Sequence, residues 1–287
     1  MEKLNRLNDV FIKSLLGSNE RKNLTLDFIN SILMRTDKEK FKYLEFQNTE
    51  IVSDKIHGKK AIPDILAITE KGNIVHIEVQ VLRDRSIISR TLYYWSRIYG
   101  RQLDSSQGYD KFHPLISIIL LDFDIFNYKD FHNQYHITND KSHDILTNQM
   151  ELHFIELKKV HISDIKKIKK SEGWIAYLSP NTNDNERKVI AMSNTAIKEA
   201  LDYEPQFITN DRLRTAYTAE EVRIRDEATR RNETAAAIKE SRKKGVDMIN
   251  RLNEILIDNN RFDDLKKATK DKEYQKKLLI EYHLDIE

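Results

Sequence analysis

The chain reads as a mixed α/β protein, a sheet with helices packed on it. Three stretches carry that reading. Residues 61–82 (AIPDILAITEKGNIVHIEVQVL) hold two alternating apolar runs separated by Glu70-Lys71-Gly72-Asn73, the pattern of a β-hairpin. Residues 86–103 place apolar side chains at helical spacing. Residues 115–121 (LISIILL) form a short, near-continuous apolar run, as in a strand buried on both faces.

Residues 8–34 show helical spacing in Val10, Phe11, Leu15 and Leu16, then in Leu24, Phe28, Ile29, Ile32 and Leu33. Gly17-Ser18-Asn19 divides them into two helices, the first capped by Asn8 or Asp9. Residues 41–51 read as a first strand, with Leu44 and Phe46 among polar residues, as at a sheet edge. In the helix over 86–103, Ile88, Leu92, Trp95 and Tyr99 form the expected core stripe. Arg90, Tyr94, Arg97 and Arg101 repeat that spacing as a basic, aromatic stripe. Residues 150–157 read as a further strand. Trp174, Tyr177 and Leu178 cluster ahead of Ser179-Pro180, residues 181–187 read as a loop, and helices alone are expected from Val189 onward. Residues 211–244 mix both charge signs with few large apolar side chains, so that helix is solvent-exposed or pairs with another copy. After Gly245, Met248, Ile249, Leu252, Ile255 and Leu256 begin a small helical unit, continued by Phe262, Leu265, Leu278, Leu279 and Leu284. The expected division is a core over 1–180 and a helical extension over 181–287.

Composition narrows the function classes. Of 287 residues, 39% are hydrophobic and 33% charged, with mean hydropathy −0.63. A core is affordable, and the excess charge belongs on exposed helices. Net charge is only +2, so nucleic-acid affinity must come from a local patch rather than a global field. The chain contains no Cys, which excludes disulfides, Cys-ligated zinc and thiol catalysis, and suits a reducing cytoplasm. The opening MEKLNRLNDV lacks a signal-peptide core, and no apolar run approaches the roughly 20 residues of a membrane span. No Gly-rich phosphate loop or Ser nucleophile elbow appears.

The hairpin holds the chemistry. With a three-residue loop and Gly72 in the left-handed position, Thr69 pairs with Asn73, and counting back sets Asp64 opposite Glu78. Side chains so paired have Cβ atoms about 4.5–5.5 Å apart. Two carboxylates that close repel, and a divalent cation would resolve the repulsion. His76, Glu78 and Gln80 share one strand face; Val75, Ile77, Val79 and Val81 share the other. His76 is more economically a structural strand residue than a base. His132 and His136 have an i, i+4 ligand spacing but no evident third ligand, and read as surface residues.

These residues resemble a known family. Asp64-Ile65-Leu66-Ala67, then Gly72 through Gln80 (GNIVHIEVQ), then Arg90 through Ser96 (RTLYYWS), are similar to the Rpn family, recombination-promoting nucleases also called PD-(D/E)XK transposases. Asp9 through Lys13 (DVFIK), Phe28 through Leu33 (FINSIL), Gln102-Leu103, Gly108-Tyr109 and LISIILLDF continue the match, which covers roughly residues 8–157 and is looser beyond. The resemblance implies a restriction-endonuclease-like core that cleaves DNA phosphodiesters with Mg²⁺. By position, Asp64 and Glu78 look like the metal-binding acids, with the Val79 carbonyl as a further oxygen ligand. Gln80 stands where the superfamily motif has its lysine; it can orient a water but carries no charge. Arg90 or Lys13 is a candidate for the vacant cationic role, and Asp9 for a third acid if it is not a helix cap. Arg90, Arg97 and Arg101 are placed to meet DNA phosphates, with Tyr93 and Tyr94 lending hydrogen bonds or stacking. The helical tail is expected to form homo-oligomers. A catalytically silent DNA-binding or interaction protein that keeps the same fold is the alternative at this level.

Overall fold

The structure is a computed structural model that describes residues 4–49, 62–103, 106–161 and 168–284. The end of the expected first strand, residues 50–51, and the start of the expected hairpin, residue 61, lie outside the described residues. Two compact units are present, Met1–Ile224 and Arg225–Glu287.

The first unit is built on a six-stranded sheet of order β1-β2-β3-β4-β6-β5. Its strands are β1 (Leu44–Phe46), β2 (Ile65–Thr69), β3 (Ile74–Gln80), β4 (Leu115–Leu121), β5 (His132–Tyr135) and β6 (Met150–Glu156). β3, β4 and β6 run parallel. The neighbours β1–β2, β2–β3 and β5–β6 are antiparallel. β1 is an edge strand, as its mixed composition implies.

The period-two pattern of the central strands sends alternate residues to two different cores. Val75, Ile77, Val79, Ile116, Ile118, Leu120 and Ile155 pack with α1 (Asp9–Leu16), α2 (Lys22–Ile32), α4 (Gly173–Leu178), α5 (Asp184–Ser193) and α6 (Thr195–Thr209). On α1, Phe11, Ile12, Leu15 and Leu16 are completely buried. Each such side chain contributes about 1.5–3 kcal/mol, which fixes this helix firmly against the sheet. The opposite faces carry Leu66, Ile74 and Leu115 in one cluster and Ile119, Leu121, Leu152 and Phe154 in another, both under α3 (Ile87–Gly100).

α3 is rotated relative to the expected stripe. Ile87, Thr91 and Ile98 are its buried residues, whereas Ile88 and Leu92 are 46% and 44% exposed. Trp95 and Tyr99 do pack at the sheet. The helix thus turns Ile87 and Ile98 down, with Thr91 between them.

Residues 181–187 are not all loop. Asn183 accepts from the Glu186 backbone N–H while the Glu186 side chain accepts from the Asn183 backbone, a capping box that starts α5. Ile190, Ala191, Ile197, Ala200 and Phe207 belong to the same core as Phe11. α5 and α6 are therefore part of the first unit, where the sequence reading assigns them to the extension. A buried network ties them to the N-terminal segment: Arg6 donates to both oxygens of Glu204 at 2.7 and 2.6 Å, and the Tyr177 hydroxyl donates to Glu204 at 2.7 Å.

α7 (Asp211–Asp258) runs through Gly245 without a break; a Cβ there would meet nothing within 4 Å. In the second unit Leu252 and Leu256 pack with Ala268 of α8 (Phe262–Ala268) and Leu278 of α9 (Lys272–Glu281). No helix among the described residues is long and apolar enough to cross a membrane.

Candidate metal and nucleic-acid site

The hairpin turn sets the site. Thr69 N–H donates to Asn73 O at 2.9 Å and Gly72 N–H to Thr69 O at 2.9 Å, with Gly72 at φ +79°. That conformation favours glycine, and a Cβ would also stand 2.5 Å from His113 Nδ1. The resulting register pairs Ile65 with Ile77, so Asp64 and Glu78 are opposed one step further on.

Both acids are held at the end of the hairpin away from the turn. Asp64 precedes β2 and turns back onto β3, where Val79 N–H donates to its Oδ2 at 2.9 Å. The Asp64 side chain is 14% exposed and that of Glu78 7%. Gln80 Nε2 donates to Glu78 Oε1 at 2.9 Å. Glu78 Oε2 has no hydrogen-bond partner although it is buried, and the same holds for His76 Nε2, 3.5 Å from it. His76 is fully buried, with Nδ1 3.3 Å from Ser117 Oγ and its ring 5.9 Å from that of Tyr94. Its contacts are those of a packed strand residue.

Two cations approach the acids. Lys13 Nζ, from α1, is 3.1 Å from Asp64 Oδ1 and 2.8 Å from Asp9 Oδ2. Asp9 is thus a partner of Lys13, and the cap of α1 is Asn8, which accepts from Val10 N–H. Arg90 Nη2 lies 3.9 Å from Glu78 Oε1, while its Nη1 pairs with Asp84 at 3.3 Å. Arg90 Nε and Nη2 are buried without a hydrogen-bond partner.

The electrostatics follow from burial. Desolvation, reinforced by Glu78 and Asp9, pushes the Asp64 carboxyl up to about 8 against the opposing pull of Lys13 and Val79 N–H. Lys13 itself is raised by its two carboxylates in spite of partial burial. Burial and the nearby Glu78 raise Tyr94. Lys13 and Arg90 thus only partly offset the two buried carboxylates, and burial disfavours the charged form of Asp64.

The donor set suits a hard divalent cation: two carboxylates, one of them with an orphaned buried oxygen, and no soft ligands. Among the described residues no group of three or more His, Cys, Asp or Glu forms a metal cage. Mg²⁺ does not require one, since one or two carboxylates with water and substrate phosphate complete its shell.

Arg97 and Tyr93 are half-buried on α3, and Arg101 is exposed just after it. Asp122, after β4, escaped the sequence reading. Its N–H donates to Gln80 O at 3.0 Å, burial raises its pKa, and its Oδ1 is buried without a hydrogen-bond partner. Its position directly after LISIILL was the available signal, because the parallel pair β3–β4 ends its two strands together. His132 and His136 are half-buried. His132 Nε2 lies 2.8 Å from His153 Nδ1, whose ring reaches Glu151 through Nε2 at 2.9 Å. They are 21 residues apart in sequence, which no local spacing reveals.

No curated protein and no solved structure gives a significant match to the chain. A family model described as PD-(D/E)XK nuclease family transposase matches residues 6–234. The match spans the sheet, the opposed acids and α3. With this fold and this span, the chain belongs to the PD-(D/E)XK nuclease family transposases.

Proposed function

We propose that this protein is a Mg²⁺-dependent DNA endonuclease of the recombination-promoting (Rpn) type, serving recombination, a mobile element or defence. The observation that carries the reading is the opposed pair Asp64 and Glu78, with Glu78 Oε2 orphaned and the Asp64 carboxyl pushed up to about 8. In this reading Asp64, Glu78 and the Val79 carbonyl hold the cation. Bound Mg²⁺ would supply an activated water and neutralise charge on the scissile phosphate. The water oxygen bonds to phosphorus as one phosphoester bond breaks, leaving a phosphate monoester and a free hydroxyl. Gln80 fixes the orientation of Glu78 through its amide and positions water or phosphate. Arg90, whose side chain is 29% exposed, offers its guanidinium to phosphate oxygens, and Tyr94 and Arg97 extend that contact along α3. A cytoplasmic setting accords with the absence of Cys. Homo-oligomers would form through α7, where Val222, Ile238 and Val246 are about half exposed.

The test is nicking of supercoiled DNA. The purified protein should nick with Mg²⁺ and stop with EDTA, and Asp64→Ala and Glu78→Ala should each abolish nicking. An inactive parent would favour the second reading, and an Asp64→Ala variant as active as the parent would refute the assignment of nicking to this site. The second reading, a silent DNA-binding or oligomeric protein, draws on the uncharged Gln80 at the motif's lysine position.

A further inference from the structure

The motif position that would bring a cation to the scissile phosphate holds Gln80, which carries no charge and donates through Nε2 to Glu78. We infer that Lys13 supplies that cation from α1, and that Asp9 is the residue that positions it. The inference rests on the nuclease reading above.

Geometry separates Lys13 from its rival. Lys13 Nζ is within 3.1 Å of Asp64 Oδ1, whereas Arg90 comes no nearer than 3.9 Å to Glu78 and is shared with Asp84. An ammonium carries three donors. Asp64 and Asp9 take two of them, at 3.1 and 2.8 Å, and the third remains for an oxygen of the substrate. The side chain is 41% exposed, so a phosphate can reach it.

The support is rigid. α1 buries Phe11, Ile12, Leu15 and Leu16 completely, and its cap, Asn8, is fully buried and donates to Glu221 at 2.8 Å. At the end of α1 the chain approaches β2 closely: a Cβ on Gly17 would lie 2.7 Å from Lys13 O and 3.5 Å from the Ile65 side chain. Asp9 sits one turn before Lys13 and pairs with its ammonium at 2.8 Å. A site mounted on a packed helix keeps its geometry better than one on a loop. Lys13 transfers no proton; it offsets the negative charge that builds on the phosphate oxygens as the water attacks.

The absence of Cys from the chain permits a chemical test. In Lys13→Cys the single thiol can be alkylated with 2-bromoethylamine, which restores an ammonium at nearly the original reach. Nicking of supercoiled DNA with Mg²⁺ should fall about 100-fold or more in Lys13→Cys, by analogy with loss of one charge-stabilising donor. Alkylation should recover at least about tenfold of that in the same folded protein. Asp9→Asn should give an intermediate loss. Calorimetric titration with Mn²⁺ should show Lys13→Cys binding the ion as tightly as the parent or more tightly, because the competitor for Asp64 is gone. Equal nicking by parent and Lys13→Cys, no recovery on alkylation, or weaker Mn²⁺ binding by Lys13→Cys would each overturn the assignment of Lys13 alone. A parent that does not nick overturns the nuclease reading and this inference with it.

Discussion

Replacing Asp64 with Asn should stabilise the metal-free protein, and more so as pH rises. The buried carboxyl goes from 3.8 to about 8, a change of about four units. At about 1.36 kcal/mol per unit the full conversion is about 5 kcal/mol. The side chain retains 14% exposure, and Asp64→Asn gives up its ion pair with Lys13, so a net gain of about 2 kcal/mol is the working figure. The sign follows from proton binding. The folded protein keeps a proton that the unfolded chain releases above about pH 4, so this group's contribution is complete below about pH 4 and is lost as pH rises through about 8. The gap between Asp64→Asn and the parent should open across that window. Urea unfolding in EDTA at about pH 5 and about pH 9 measures it directly. Adding Mg²⁺ should then raise the parent's stability through mass action and leave Asp64→Asn unmoved. A variant less stable than the parent at about pH 9, or a gap that does not change with pH, would refute the electrostatic account of the site.

Three further outcomes follow from single contacts. Gly72→Ala forces a left-handed residue with its Cβ 2.5 Å from His113 Nδ1, and should cost about 1–3 kcal/mol in urea unfolding. His132 is pushed down to about 4 by burial and by His153, so it enters the fold neutral. Stability should fall as pH drops from about 6.5 towards about 4, by about 2 kcal/mol after allowance for its partial exposure, and His132→Phe should flatten that loss in a pH series of thermal melts. Arg90→Ala should weaken DNA binding measured in Ca²⁺, with the slope of log affinity against log salt reduced by about 0.9 for one lost phosphate contact.

The hairpin was legible because its determinants are local. Gly72 can take a positive φ, the loop length then follows, and the register between Asp64 and Glu78 needs only counting. The phase of α3 was not legible. Its aromatic residues Tyr93, Tyr94, Trp95 and Tyr99 cover more than one face, and Thr91, which is buried, counts as polar in any pattern. β5, with the sequence HNQY, has no apolar alternation at all, since it lies on an edge and leaves its side chains half-buried or exposed. The capping box at Asn183 and Glu186 could have started α5 earlier than Val189. Gly245, after which the sequence places a small helical unit, lies inside α7, as glycine is tolerated in a helix at a cost of about 1 kcal/mol. Least visible were contacts across long sequence separations. Lys13 and Asp64 meet at 3.1 Å, and Arg6 and Glu204 are 198 residues apart; no spacing rule connects either pair.

The central claim is that Asp64 and Glu78 share one divalent cation. Crystals grown or soaked with Mn²⁺ and measured at its absorption edge test it most directly. The expected result is an anomalous peak in contact with carboxylate oxygens of both Asp64 and Glu78, lost in Glu78→Gln. No peak there at saturating Mn²⁺, or a peak bound by neither residue, would contradict the account.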